Sequence, residues 1–474
     1  MFEQIYLFPI VLGLMAFMLP PIAGRFLMAL SGTFHLGLVV DTLFIESPPP
    51  SDFFRITPES QLVLLVTAFL FLAITVYTLS YLDHAEMANE SVFSGCMLLF
   101  LGTMSMAALA DHIIVFWIAI EATTLVSAPL IFFNKSKEAL EATWKYIMIC
   151  SVGIALALLG AFFIILAMGQ GGENITLTFT ELIRSAPSMN PVWLKGGFIF
   201  LLIGFGTKMG LAPMHTWLPD AHSEAPSPAS ALLSGALLNC AFLGVFKAHS
   251  ILYAAGLDSF SGNLLIVFGL LSMLVAAVFI IQQSDYKRLL AYSSIENMGI
   301  IAIGVGIGGL AAFGAMIHLI HHALIKSSLF LSSGNILLGY GTKKIKDTGN
   351  MARFMPKTFV AFTGGFAGIS GFPPFGLFLS ELLIILGAFK QGAYTVAILF
   401  ILCLILIFAG ASKSVIRMSF GSWEGELHTG ETLMRLIPSY VLLASSVALC
   451  IWIPERLHQL IVNAVAMIGG GIHG

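Results

Sequence analysis

Charge is what this sequence has least of. Asp, Glu, Lys and Arg make up 10% of its 474 residues, against roughly 25% in an ordinary soluble domain. That scarcity argues against a solvated globular surface. With a net charge of −3 and no basic block, it also argues against a nucleic-acid partner. Cysteine is sparse too: Cys96, Cys150, Cys240, Cys403 and Cys450 fall within apolar runs and form no CxxC pair, so neither a disulfide framework nor a thiolate metal site is indicated. No GxGxxG opening a strand–helix unit, no cysteine cluster and no haem signature occurs, and no cofactor is expected in this chain. The first apolar segment lacks a basic leader and a clear cleavage site, which marks it as a retained helix.

What is abundant is apolar surface, at 58% of the residues with a mean hydropathy of +0.95. A bilayer core takes about 20 apolar residues per helix, and such runs recur along the whole chain. Helices are expected near residues 5–24, 26–45, 60–81, 92–110, 112–133, 144–168, 193–213, 228–252, 263–282, 289–308, 311–338, 357–388, 394–415 and 435–453. The reading is an all-α polytopic membrane protein of about fourteen spans, with both termini on one side. The longest connection, 169–192, contains "GQGGENITLTFTELIRSAPSMN" and is too short to house a catalytic domain.

Lys and Arg favour cytoplasmic loops. Fourteen of them fall in the loops after odd-numbered helices and five on the opposite side, which directs both termini outward, to the periplasm or another outer compartment. Three basic residues are left over, Lys208, Lys247 and Lys326, each inside an apolar helix. The same sorting of acids leaves Glu121, Glu296 and Glu381. An ionisable group at bilayer depth costs at least ~2.5–3.5 kcal/mol and is functional by default. The alternative is a set of structural ion pairs that hold helices together.

Two segments carry helix breakers beside these residues. Lys208 lies five residues before Pro213, whose missing N–H and ring must open or end the helix. In "AGISGFPPFGLFLSELLIILGAF", Gly371, Pro373, Pro374 and Gly376 interrupt the run, and Glu381 follows. Interrupted helices at membrane depth mark transport sites. The breaks fall at helices 7 and 12, which proposes helices 4–8 (92–252) and 9–13 (263–415) as two repeats, flanked by 1–91 and 435–474. On that offset Glu121 corresponds to Glu296 and Lys208 to Glu381.

Helix 11 reads "AMIHLIHHALIKSSLFLSSGN" and sets His318, His322 and Lys326 at i, i+4, i+8 on one face, with His321 turned away. Burial disfavours the charged form of lysine or glutamate and an opposite charge restores it, so such a pair near balance responds to small movements of charge. Histidine titrates near neutrality and has two ring nitrogens, so it can pass a proton on. Glu121, Lys208, Lys247, the histidine stripe, Lys326 and Glu381 are therefore candidate stations of a proton wire. Zinc at the i, i+4 histidines is a competing reading, opposed by the lack of HExxH or a cysteine partner. The link "HTWLPDAHSEAPSP" offers Asp220, His222 and Glu224 either as a cation site or as solvated loop charges.

Together, "KMGLAPMHTWLPDAHSEAPSPASALLSG", "DYKRLLAYSSIENMG", "HHALIKSSLFLSSG" and "GFPPFGLFLSE" resemble the antiporter-like membrane subunits shared by respiratory complex I, multisubunit sodium/proton antiporters and energy-converting hydrogenases. The likeness covers roughly residues 60–415. It implies fourteen helices, inverted repeats, broken helices 7 and 12, and an ion pair of Glu121 with Lys208. It further implies roles for Lys247, His318, His322, Lys326 and Glu381 in carrying a proton across. "HSEAPSP" and "YSSIENMG", with Glu296, look most like the large membrane subunit of hydrogenase-4 and formate hydrogenlyase-type complexes, whereas complex I relatives more often have another residue at Glu296.

The resemblance implies partners: other membrane subunits and a peripheral electron-transfer arm holding Fe–S clusters, with a nickel–iron centre in the hydrogenase branch. It places the chain in a bacterial or archaeal cytoplasmic membrane. Protons are the expected cargo, with sodium as an open alternative. The competing readings are a subunit of a sodium/proton antiporter or of complex I, a stand-alone solute transporter, and a purely structural role for the buried charges.

Overall fold

The computed structural model describes residues 3–44, 51–84, 89–169 and 176–469. The glycine-rich part of the expected 169–192 connection, 170–175, and the end of the tail, 470–474, lie outside them. The chain opens with α1 (Gln4–Ala16), α2 (Pro21–Asp41), α3 (Pro58–Tyr81), α4 (Glu90–Leu109) and α5 (Ile113–Ile131). Next come α6 (Lys137–Met168), the short α7 (Phe179–Ser185), α8 (Pro191–Met209), α9 (Trp217–Glu224), α10 (Ser227–Leu232) and α11 (Leu238–Ala254). The second half contains α12 (Asp258–Ile280), α13 (Tyr286–Ile307), α14 (Gly309–Tyr340), the single turn α15 (Met351–Phe354), α16 (Pro356–Ile369), α17 (Gly376–Lys390) and α18 (Tyr394–Phe420). The last two helices are α19 (Leu433–Ile451) and α20 (Glu455–Ala466).

Local chemistry sets these boundaries. Pro21, Pro58, Pro191 and Pro356 stand at the first helical position, where a missing N–H costs nothing. Asn190 caps α8 by accepting from Val192 N (2.9 Å), and Ser136 caps α6 by accepting from Ala139 N (2.9 Å). His112 caps α5 through Nδ1, which accepts from Ile114 N. Partial burial holds its imidazole below the ordinary value, against the pull of Asp111 in the other direction, and so favours the neutral acceptor form.

Twelve helices among the described residues are long and apolar enough to cross a membrane. The other two expected spans are present as shorter pieces: α1, of 13 residues, and the interrupted pair α16 and α17. The first helix ends at Ala16, not near 24, because Pro20 is extended and Pro21 starts the next helix. Helix 6 begins seven residues earlier than expected, at the Ser136 cap. α20 was not expected. It is amphipathic and follows Pro454, and its buried face is Leu460, Ile461, Ala464 and Val465.

Both interruptions are found. α8 stops at Met209, before Pro213, because Gly210 takes the left-handed conformation (φ +83°) that closes a helix C-terminus, and Leu211 N donates to Gly206 O (2.9 Å). The second interruption runs from Ser370 to Phe375 and contains Gly371, Pro373 and Pro374. A π-helical turn, Leu233–Leu237, separates α10 from α11, and Asn239 Nδ2 donates to Gly235 O (2.9 Å) across it. Such turns concentrate at functional sites.

α14 is the axle of the second half, packed against α3, α10, α13, α16, α17 and α19. α10 is buried along its length, and α11 from its start to Leu252. By contrast, α6, α12 and α18 present long apolar faces outward, with Trp144, Met148 and Val152 all more than half exposed on α6. Such faces belong against lipid or other membrane chains.

Candidate functional site

In the first half, Lys208 occupies the last turn of α8, where the negative end of the helix dipole favours a cation. It is fully buried, and its Nζ donates to the phenol of Tyr146 at 2.9 Å. That phenol also bonds Ser127 Oγ (2.7 Å). The Tyr146 ring packs on Trp217, whose indole Nε1 donates to Thr207 O (2.8 Å), so the break itself holds the tyrosine in place. Glu121 lies half-buried on α5 and accepts from Ser151 Oγ (2.7 Å) and Thr124 Oγ1 (3.3 Å).

The expected Glu121–Lys208 ion pair is therefore not made in this structure. Each residue has its own hydroxyl partners. The lysine reaches α6 rather than α5 because Tyr146 places a phenol directly beside it.

Lys247 on α11 is ion-paired with Glu59 on α3 (3.4 Å), with both side chains within 2% of full burial. Thr57 Oγ1 donates to Glu59 Oε1 (2.5 Å), and Lys247 Nζ lies 5.1 Å from the centre of the Phe179 ring. By sequence Glu59 groups with the loop and helix-end acids, because it stands in the first turn of α3. Its burial comes from α11, which the local sequence around it does not announce.

In the second half the stripe on α14 faces α13 and α17 as its spacing predicts. His318 spans both neighbours, with Nε2 bonded to Asn297 Oδ1 and Nδ1 to Ser380 Oγ, each at 2.9 Å. Lys326 Nζ donates to Leu290 O (2.5 Å) and Ser293 Oγ (2.8 Å). Glu296 is buried one turn beyond Ser293, the hydroxyl that Lys326 contacts. His322 is fully buried with neither ring nitrogen bonded among the described residues, which leaves hydrogen-bonding capacity between His318 and Lys326. His321 points away, as expected, to Ser446 Oγ on α19 (2.9 Å).

Glu381 lies in the second turn of α17 with its carboxylate over the break. A methyl group on Gly371 would stand 2.4 Å from Glu381 Oε2, and Gly371 has φ +69°. Gly371→Ala is expected to cost roughly 1–2 kcal/mol for the left-handed backbone alone and to displace the carboxylate. Thermal unfolding of the purified variant beside Glu381→Gln/Gly371→Ala checks this: the double variant should recover no backbone cost.

The link between α8 and α10 is not a cation site. Asp220 is paired with Lys145 (3.1 Å) and Arg288 (2.7 Å), and Glu224 with Lys343 (2.5 Å). His222 is buried against Phe330, with ring centroids 4.8 Å apart. Lys287, near a helix end, is buried and donates to Ala225 O (2.5 Å) at the end of α9. This network ties the interrupted helix of the first half to α13 and the loop after α14. Among the described residues no group of three or more His, Cys, Asp or Glu could hold a metal ion, so the zinc reading of the histidines gains no support.

Sequence reading thus missed Tyr146, Glu59, Ser127, Ser293 and Asn297. Only Glu59 carries a charge that could have flagged it. The others are neutral residues inside helices.

Two interrupted membrane helices, with buried lysines, glutamates and histidines around and between them, define an antiporter-like membrane subunit. Residues 110–407 match the family described as NADH:quinone oxidoreductase/Mrp antiporter, TM, and the chain belongs to it. It is 34% identical over 463 residues to the "Hydrogenase-4 component F homolog" of Methylacidiphilum infernorum, covering 93% of this chain and 97% of that one. Over 364 residues it is 32% identical to "Hydrogenase-4 component B" of Escherichia coli, covering 73% of this chain and 52% of that one. Its fold matches a chain of the Mrp complex from Dietzia sp. DQ12-45-1b with a TM-score of 0.85 at 19% identity, covering 98% of this chain and 97% of that one.

Proposed function

We propose that this chain translocates protons as a subunit of a redox-driven membrane complex, most like a membrane-bound hydrogenase or formate hydrogenlyase. The observation that carries the reading is the set of ionisable groups inside the membrane helices: half-buried Glu121, and the buried Lys208 with Tyr146, Lys247 with Glu59, Lys326, His322, His318 and Glu381. Similarity over 93% of the chain to a hydrogenase-4 component F homolog supports the hydrogenase branch. Glu296 acts on Lys326 as the second half's counterpart of Glu121, and residues 92–252 and 263–415 act as two repeats.

A change of charge in a neighbouring subunit acts first on Glu121, which is only half-buried and therefore reachable from outside the chain. The balance at Lys208 shifts, and a proton passes by way of Lys247 to Lys326 and on to Glu381. Electron transfer belongs to a peripheral arm with Fe–S clusters and, in a hydrogenase, a nickel–iron centre. The positive-charge bias supports an orientation with both termini on the outer face of a bacterial or archaeal cytoplasmic membrane.

Glu121→Gln is expected to abolish coupled pumping while the complex still assembles, measured as donor-driven acidification of sealed vesicles beside native gel electrophoresis. Retained pumping would remove Glu121 from the line. Purification with co-isolated chains and metal analysis tests the branch. Stoichiometric nickel and iron fit the hydrogenase, and iron with flavin but no nickel fits a complex I-like machine. A metal-free set of membrane proteins showing sodium-dependent proton movement without an electron donor fits the antiporter.

A further inference from the structure

A groove outside the proton line runs along α2, α3, α14, α19 and α20. Its walls are apolar, among them Leu36 and Val40 of α2, Phe69 of α3, Leu324 of α14 and Leu449 of α19, and its volume is about 570 Å³. At one end stand Phe44, Pro454 and Arg456, with the Arg456 guanidinium 5.9 Å from the centre of the Phe44 ring. Trp452, 70% exposed, lies beside that end, between α19 and α20.

These features fix the groove's orientation in the bilayer. Exposed Trp and Arg beside helix ends mark the headgroup level, while α20 turns its apolar face onto α3 and α14. The mouth is thus at the interface, at the end of the bundle shared by the C-termini of α2 and α19 and the N-termini of α3 and α14. From there the walls lead inward to Ile320, Leu324 and Ser445, which flank His321 and Ser446.

We propose that this groove is a binding site for one anionic phospholipid, with its phosphate on Arg456 and one acyl chain along the walls. A cavity of this size is within the roughly 300–1,000 Å³ of small-molecule sites, and a transmembrane helix about 10 Å or more across does not fit inside it. A cation at the mouth of an apolar slot selects a ligand with a negative head and a hydrocarbon tail. The tail seals the α14–α19 contact, where His321 bonds Ser446, against water from the bilayer surface.

The probe is a phosphatidylglycerol with a photoreactive diazirine in its acyl chain, as a minor component of phosphatidylcholine vesicles holding the purified complex. Labelling is expected to concentrate on the peptides around Leu324 and Leu449 and to be competed by unlabelled phosphatidylglycerol but not by phosphatidylcholine. Leu449→Trp, which fills the slot, should abolish it. Arg456→Gln, at an exposed position, should lower the preference for the anionic lipid about tenfold. Labelling spread evenly over the lipid-facing helices, labelling with equal preference for both lipids in the parent, or a partner chain crosslinked in the groove would overturn the proposal. If Leu449→Trp does not assemble, the Arg456→Gln comparison decides alone. The readout is lipid occupancy, so it stands or falls independently of proton transport.

Discussion

Replacing Lys247 with methionine is expected to destabilise the protein by about 3–5 kcal/mol, the cost of stripping one partner from a buried ion pair. Glu59 would be left with its carboxylate at 1% exposure, Oε1 bonded to Thr57 and Oε2 without a hydrogen-bond partner among the described residues. Neutralising both partners removes the problem, because replacement of a complete buried pair is often neutral or stabilising. The double variant Lys247→Met/Glu59→Gln should therefore recover most of the loss. Denaturant unfolding of the four proteins of the cycle, purified in the same detergent, measures the coupling. Additive effects would mean that Glu59 is not what holds the lysine.

Lys208→Met should behave in the opposite way, with little change in stability and about 10²-fold slower proton translocation, the scale of removing a positioned proton-transfer group. The difference lies in the partners. Lys208 donates to Tyr146 OH, a neutral group that keeps Ser127 Oγ as a second partner when the lysine is gone. No carboxylate is orphaned. Methionine also fills the space of the lysine stem beside the Tyr146 ring at low packing cost. The two buried lysines, on α8 and α11, thus differ in what their loss costs the fold: removing Lys247 strips a buried carboxylate of its partner, and removing Lys208 does not.

The sequence announced those residues whose presence in a membrane costs free energy. Lys208, Lys326, Glu296 and Glu381 stood out because charge within an apolar run needs a reason, and the α14 stripe because its spacing is helical. The interruptions were legible in Pro213 and in Gly371, Pro373 and Pro374, although α8 already ends at Met209, where the left-handed backbone of Gly210 decides before proline does. Tyr146 was not legible. A tyrosine in an apolar helix carries no penalty that needs explaining, and its meeting with a lysine 62 residues away is a property of packing. Glu59 and Lys287 were hidden differently, as helix-end charges that the tertiary structure then covers. α20 escaped because its 12 residues alternate apolar and polar faces and never form an apolar run.

The most direct test of the central claim is donor-driven proton uptake into sealed vesicles containing the native complex, with parent and Lys208→Met chains compared at equal electron-transfer rate. Proton transport through the buried line predicts that the parent builds a pH gradient and that the variant, fully assembled and still transferring electrons, builds almost none. A variant that pumps at the parental rate would contradict it and leave the buried charges a structural role only.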